Sequence, residues 1–338
     1  MLTLLLPNGT ETPFPLPDPS TPSMELKQFL NGNIVDLMSG ALEGNKTSEH
    51  YSEQWGKEVG IGAFLNKNKE ALAVTLGKKL GWPTLIERIR EESAEKQTLV
   101  YDAGCGFGGL FQDLFEAPHP PFLVYVGADI HKSLGDIAPP PGVPPRQFGF
   151  LRFDVGDPLP IREKFDYVIC RAAIHHTPEP RRTFSSLVDR VRPGGVIAIS
   201  AYRRKGIMRE AVDDALRARI VPMTTDEAWT VSREFTLLGR DLRDLPGRIV
   251  IRQDLPFLGI AAGDYGIQEF IYQYFMKCWF NEAFGEEYSD VTNFDWYHPE
   301  YARRYDLDEL KQWFSEEALE VTRVESLQPQ HYIEGRKP

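Results

Sequence analysis

The feature that most constrains this chain is an alternation of apolar strands and helices that begins at Thr98 and stops at Tyr202. "TLVYDA" is a run of strand type, the glycine-rich "GCGFGG" follows it, and "GLFQDLFEA" then has helical spacing. "PFLVYVGADI" is a second strand ending near Asp129, "QFGFLRFDV" a third and "KFDYVICRAAI" a fourth. "RRTFSSLVDRVR" is an amphipathic helix, and Pro193-Gly194-Gly195 turns it into a fifth strand, "VIAISAY". Continuous apolar strands separated by helices predict an α/β fold with a parallel sheet covered on both faces. Between strands two and three, five prolines from Pro139 to Pro145 leave room for a short helix at most.

The flanks differ. Pro7, Pro13, Pro15, Pro17, Pro19 and Pro22 forbid a regular helix at the start, and residues 1 to about 50 read as peripheral. Residues 48–93 have helical spacing, broken near Gly60–Gly62 and at Gly81-Trp82-Pro83. Beyond Tyr202, residues 203–295 read as mostly helical and irregular, with the aromatic run "EFIYQYFMKCWFNEAF". Asp306, with Glu309 three residues on, starts a helix through a capping box, and "LEVTRVESL" and "QHYIEGRK" close the chain as strands. The expected organisation is an N-terminal extension and helical cap (1–95), a cofactor-binding core (96–202), an aromatic helical insertion acting as substrate lid (203–300) and a closing helix and strands (301–338).

The 338 residues, 42% of them hydrophobic, suffice for a sizeable core. A net charge of -11 disfavours nucleic acid or an anionic membrane as partner. Cys105, Cys170 and Cys278 have no paired spacing, so neither a disulfide framework nor a zinc site is expected. The start lacks a basic n-region, and no apolar run approaches the roughly 20 residues that span a bilayer. A soluble, cytoplasmic protein is expected.

The glycine loop narrows the cofactor. A P-loop needs a Lys and a Ser or Thr after its last glycine, and neither follows Gly109. The spacing Gly104-x-Gly106-x-Gly108 departs from the dinucleotide fingerprint, and Asp102 just ahead of it would sit badly beside a pyrophosphate. A carboxylate there suits an ammonium or sulfonium, which favours S-adenosyl-L-methionine. Asp129, at the end of strand two, can accept the ribose hydroxyls. Asp154 with Val155, at the end of strand three, can face the adenine.

In this order, "LVYDAGCGFGG", "VGADI", "RFDV", "KFDYVICRAAIHHTPEP" and "VRPGGVIAIS" resemble the class I S-adenosylmethionine-dependent methyltransferases. The resemblance covers roughly residues 98–202, with a weaker likeness through "FDWYHPEYARRYDLDELKQWF" to a bacterial subgroup of the family. It implies a doubly wound, Rossmann-like sheet of seven strands, mostly parallel, with a reversed last hairpin. It implies that Asp102, Gly104, Cys105, Gly106, Gly108, Asp129, Ile130, Asp154, Val155, Arg171 and Ala172 line the cofactor, with S-adenosylhomocysteine as product. The Pro-rich loop departs from the family, because it replaces much of the helix after strand two. The subgroup can carry a zinc-ribbon-like N-terminal segment; its cysteines are missing here, and no metal is expected.

Methyl transfer needs a general base only where the acceptor must lose a proton. The candidates are His175, His176 and His298, with Tyr297 and Asp295 nearby in sequence. The plain alternative is structural: a His pair after strand four, and a "NFDWYHPEY" loop packed onto the sheet. Tyr51, Trp55, Tyr202, Arg203, Trp296 and Tyr297 are the candidate acceptor contacts. The "YRRKG" cluster reads either as a solvated turn or as a site for a carboxylate or phosphate. The expected function is O- or N-methylation of a small molecule by a monomer or homodimer. The rival functions are an RNA or protein methyltransferase and a non-methylating protein that binds the same cofactor.

Overall fold

In the computed structural model the described residues are 2–15, 30–31, 34–38 and 80–338. Tyr51, Trp55 and the helices expected before Leu80 lie outside them. The chain divides into two compact units, residues 1–202 with 305–338, and residues 203–304.

The first unit is built on a nine-stranded sheet of order β12-β13-β9-β8-β5-β6-β7-β4-β3. Its centre is formed by β5 (Thr98–Ala103), β6 (Leu123–Asp129), β7 (Phe148–Arg152), β8 (Phe165–Arg171) and β9 (Val191–Tyr202). These pair in parallel. The closing hairpin, β12 (Glu320–Ser326) and β13 (Gln330–Arg336), joins β9 antiparallel. That accounts for the seven strands expected. Two short ones, β3 (Leu30–Asn31) and β4 (Ile34–Asp36), extend the far edge, with β4 parallel to β7.

Side chains of the central strands alternate between two buried clusters. In β9, Ile197 and Ile199 face one cluster, while Val196 and Ala198 face the other. The first cluster is covered by α3 (Pro180–Arg190) and α8 (Leu307–Glu316), the second by α1 (Trp82–Glu95) and α2 (Gly109–Leu114). α1 starts where Pro83 occupies its first turn, where a missing N–H costs nothing. α8 is closed at its start by the Asp306–Glu309 capping box, with the Asp306 N–H donating to Glu309 Oε2 at 2.7 Å. Between β6 and β7 the chain makes only two 3₁₀ turns, Lys132–Asp136 and Pro145–Gln147.

The N-terminus is not peripheral. β1 (Leu2–Leu5) and β2 (Glu11–Phe14) form a hairpin whose Leu2, Leu4, Leu6 and Phe14 enter the first cluster. The prolines exclude a helix there but not two four-residue strands. Phe14 lies so close to β7 that a Cβ on Gly149 would fall 2.3 Å from its ring.

The second unit holds α4 (Ile207–Ile220), α5 (Thr225–Asp244), α6 (Ile267–Tyr274) and α7 (Gly285–Tyr297). It also holds a hairpin of β10 (Arg248–Ile251) and β11 (Gly263–Gly266), which helical spacing alone does not foretell. "NFDWY" is the end of α7 and not a loop. Glu286 and Glu287 in its first turn complement the helix dipole, and the chain leaves the helix at His298-Pro299. Among the described residues no helix is long and apolar enough to cross a membrane.

Burial of the hairpin predicts a sharp contrast. Leu4 is fully buried, so Leu4→Ala is expected to cost about 2–5 kcal/mol in urea unfolding. Leu5→Ala, at the exposed next position, is expected to stay within about 0.5 kcal/mol. Equally small losses at both would make the hairpin an appendage.

Candidate functional site: the carboxyl ends of the central strands

β5 pairs with β6 on one side and with β8 on the other, so the winding of the sheet reverses at β5. In open α/β sheets the crevice at such a reversal is where ligands bind, at the carboxyl ends of the strands. The glycine loop, Asp129, Asp154 and Arg171-Ala172 all lie at those ends.

The loop after β5 is held by backbone bonds. The N–H groups of Gly104 and Cys105 both donate to Ala128 O, at 2.8 and 3.1 Å. Gly104 has φ +76°, and a Cβ there would meet the Ala173 Cβ at 2.3 Å. Neither that conformation nor that space admits another residue. Gly108, at φ +81°, is the N-cap of α2.

Asp129 ties the loop to β6. Its Oδ2 accepts the Gly106 N–H at 2.8 Å and its Oδ1 accepts the Ile130 N–H at 2.7 Å. A carboxylate has about four acceptor sites. The His131 N–H also reaches Oδ1, at 3.4 Å, so capacity remains for a further hydroxyl donor, and the side chain is only partly buried. On the same side of the loop, the buried His131 ring places Nε2 2.9 Å from Gly106 O.

Asp102 lies deeper, at 2% exposure, where its Oδ2 accepts the Tyr125 hydroxyl at 2.7 Å. Burial pushes its carboxyl up to about 7, against the hydrogen bond from Tyr125 and the charge of Arg171, both of which favour the anion. Asp154 is half-buried, bonded to the Gly156 N–H at 2.9 Å, and burial raises its pKa as well. Val155 beside it is partly exposed.

At the end of β8, Ala172 takes φ +56°, a left-handed conformation rare outside glycine. Its N–H donates to Ser200 Oγ on β9 at 3.0 Å. Strain of this kind collects at ligand-binding turns. Arg171 is partly exposed and lies 3.7 Å from Asp113. The Cys105 thiol is buried and driven well above its usual range by that burial, so the residue serves the loop through its backbone.

The histidine candidates fare differently. His175 is fully buried and neither ring nitrogen has a hydrogen-bond partner among the described residues. It packs on Tyr202 with centroids 3.8 Å apart and on His176 at 4.2 Å. Burial, with the neighbouring His176, drives its pKa well down and keeps the ring neutral. His176 is nearly buried beside it. His298, Arg203, Trp296 and Tyr297 belong to the second unit. There, His298 lies against Phe294 and places Nε2 3.2 Å from Met223 O. Trp296 and Tyr297 are not free to meet a ligand through their polar atoms. The Trp296 Nε1–H and the Tyr297 hydroxyl both donate to the carboxylate of buried Asp213, at 2.8 Å each.

Residues 101–197 match the family model of a methyltransferase domain. Over this segment the chain is similar to a methyltransferase domain. It includes the β5 loop, Asp129, Asp154, β8 and most of β9. Curated relatives of the domain, called ubiquinone biosynthesis O-methyltransferase in strains of Coxiella burnetii, are 27% identical over 123 residues, which is 36% of this chain. That match spans about half the length of those relatives (51%). Two solved methyltransferase structures also align with the chain. The magnesium protoporphyrin IX methyltransferase of Synechocystis PCC 6803 has a TM-score of 0.39 at 13% identity, over 76% of this chain and 81% of its own. A candidate methyltransferase of Bacillus halodurans has a TM-score of 0.40 at 12% identity, over 75% of this chain and 98% of its own.

Sequence reasoning missed Tyr125 and Ser200, which hold Asp102 and Ala172. Both sit inside apolar strands, where a single polar group reads as an ordinary strand residue.

The first unit carries a pH signature. The folded-state pKa of Asp102 lies above the usual carboxyl value. Its contribution to stability is therefore present at low pH and lost as the pH rises toward about 7. Asp102→Asn is expected to gain on the wild type between about pH 4 and about pH 7, so its advantage in urea is larger at about pH 8.5 than at about pH 5. An equal offset at both pH values would contradict a buried, titrating Asp102.

Proposed function

We propose that the chain is an S-adenosyl-L-methionine-dependent methyltransferase acting on a small-molecule acceptor at oxygen or nitrogen. The observation that carries this reading is Asp129, fixed by three backbone N–H groups at the end of β6 with acceptor capacity to spare. The cofactor fits the residues present. Asp129 would take the ribose hydroxyls, Gly104 and Gly106 would let backbone approach it, and Asp154 with Val155 would face the adenine. Asp102 and Arg171-Ala172 would lie toward the methionine end, where an ammonium group would favour the charged form of the Asp102 carboxyl.

Bound S-adenosylmethionine supplies an electrophilic methyl group on a sulfonium. Transfer would join the acceptor to the methyl carbon as the sulfur–carbon bond breaks, with S-adenosylhomocysteine as the leaving group. The chain's part is to orient the acceptor in line and to exclude water. His175, neutral and closed off, is a weak base for that reaction, and His176 is the better candidate of the pair. Acidic overall charge favours a small acceptor over nucleic acid. The printed name of the curated relatives, an O-methyltransferase of ubiquinone biosynthesis, fits that class. Three free, buried cysteines suit a reducing cytoplasm, and a monomer or homodimer is the expected assembly.

Calorimetry tests the reading. The wild type is expected to bind S-adenosylhomocysteine, and Asp129→Ala to bind about ten- to a hundredfold more weakly, the worth of one hydrogen bond to a charged group. Absence of binding by a folded sample, or equal affinity in the variant, would refute it.

A further inference from the structure

The second unit gathers cations around one indole. Lys277 Nζ lies 4.8 Å from the centroid of the Trp296 ring, the Arg209 guanidinium 5.4 Å, Lys205 Nζ 5.8 Å and the Arg304 guanidinium 5.9 Å. Counter-charges answer only part of this. Asp213 is fully buried and bonds Arg209 Nε at 2.5 Å, the Lys277 N–H at 3.1 Å, the Trp296 indole and the Tyr297 hydroxyl. Those four donors fill its acceptor sites. Glu210 and Asp214 pair with Arg304. Glu210 also accepts the Lys205 backbone N–H at 2.7 Å.

Lys277 is left over. Its side chain belongs to a residue only 6% exposed, and among the described residues its ammonium has no hydrogen bond and no ion pair. Asp295 and Asp213 act on it only at longer range. A buried ammonium without a partner costs several kcal/mol, of which a cation–π contact returns about 0.5–2. Burial accordingly pulls the Lys277 pKa down to about 7. Lys205 is also driven down, by burial and then by the charges of Arg209, Arg203 and Lys277. A single oxyanion would relieve Lys277, and the indole face would pack its apolar part.

We propose that Lys277, on the face of Trp296 and beside Arg209 and Lys205, is an anion site that takes a carboxylate or phosphate group. The site stands within the second unit and does not depend on the preceding proposal. It gives the basic "YRRKG" segment a ligand chemistry through Lys205.

The test is thermal unfolding of the full chain with benzoate and with inorganic phosphate, each against chloride at equal ionic strength. S-adenosylhomocysteine calorimetry runs alongside. Wild type is expected to show a saturable rise in midpoint. Benzoate alone producing it assigns a carboxylate, phosphate alone a phosphate group, and both a site for either oxyanion. Lys277→Met removes an unpaired buried charge, so it should fold at least as well. Its apparent anion affinity should fall at least tenfold, while its affinity for S-adenosylhomocysteine stays at the wild-type value. Lys205→Met, at a less buried position, should weaken the response several-fold and serves if the first variant does not fold. No saturable rise in wild type with either anion overturns the proposal, and so does an undiminished rise in the variants. Intact S-adenosylhomocysteine binding in that case leaves the methyltransferase reading standing.

Discussion

The hydrogen bond from the Gly106 N–H to Asp129 is the contact on which the rest of the site depends. It joins the loop after β5 to the end of β6, across the point where the sheet reverses its winding. The loop bends there because Gly104 has no Cβ to strike Ala173. The same Asp129 carboxylate holds the start of the next segment through the Ile130 N–H. One side chain thus shapes the loop and presents acceptor sites to a ligand, so neither role can be changed alone.

Around that contact the carboxylates differ by depth. Asp129 is partly exposed and remains a ready acceptor. Asp102 is buried, and its raised pKa records the cost of a charge that the fold does not neutralise by itself. Lys277 records the same kind of cost with the opposite sign in the second unit, where burial lowers the pKa of an ammonium. In both places a group is kept partly uncompensated, which is unusual for a side chain with a purely structural task.

Much of the first unit was legible in the sequence. The central strands announce themselves as apolar runs, the glycine loop by its spacing, and α8 by the Asp306–Glu309 pair, because each signal is local. The β1–β2 hairpin was not legible. Its strands are four residues long, and their burial depends on a cluster shared with residues remote in sequence, with Leu4 bridged to Ile161. The two edge strands are shorter still. In the second unit, the aromatic segment around Trp296 reads from sequence as a loop, yet it is the end of a helix. The partners that decide the matter, Asp213 on α4 and Lys277 after α6, lie tens of residues apart. Ionic clusters of this kind are set by tertiary packing and leave no periodic trace.

The central claim is that the carboxyl ends of β5, β6 and β7 form one ligand cradle. Amide chemical shifts of the isotope-labelled chain during titration with S-adenosylhomocysteine test it most directly. The account predicts that the largest shifts fall on Gly104, Gly106, Gly108, Ile130 and Val155, with the Gly106 amide retaining the signature of its bond to Asp129. Shifts absent from the glycine loop, or confined to residues 203–304, would contradict it.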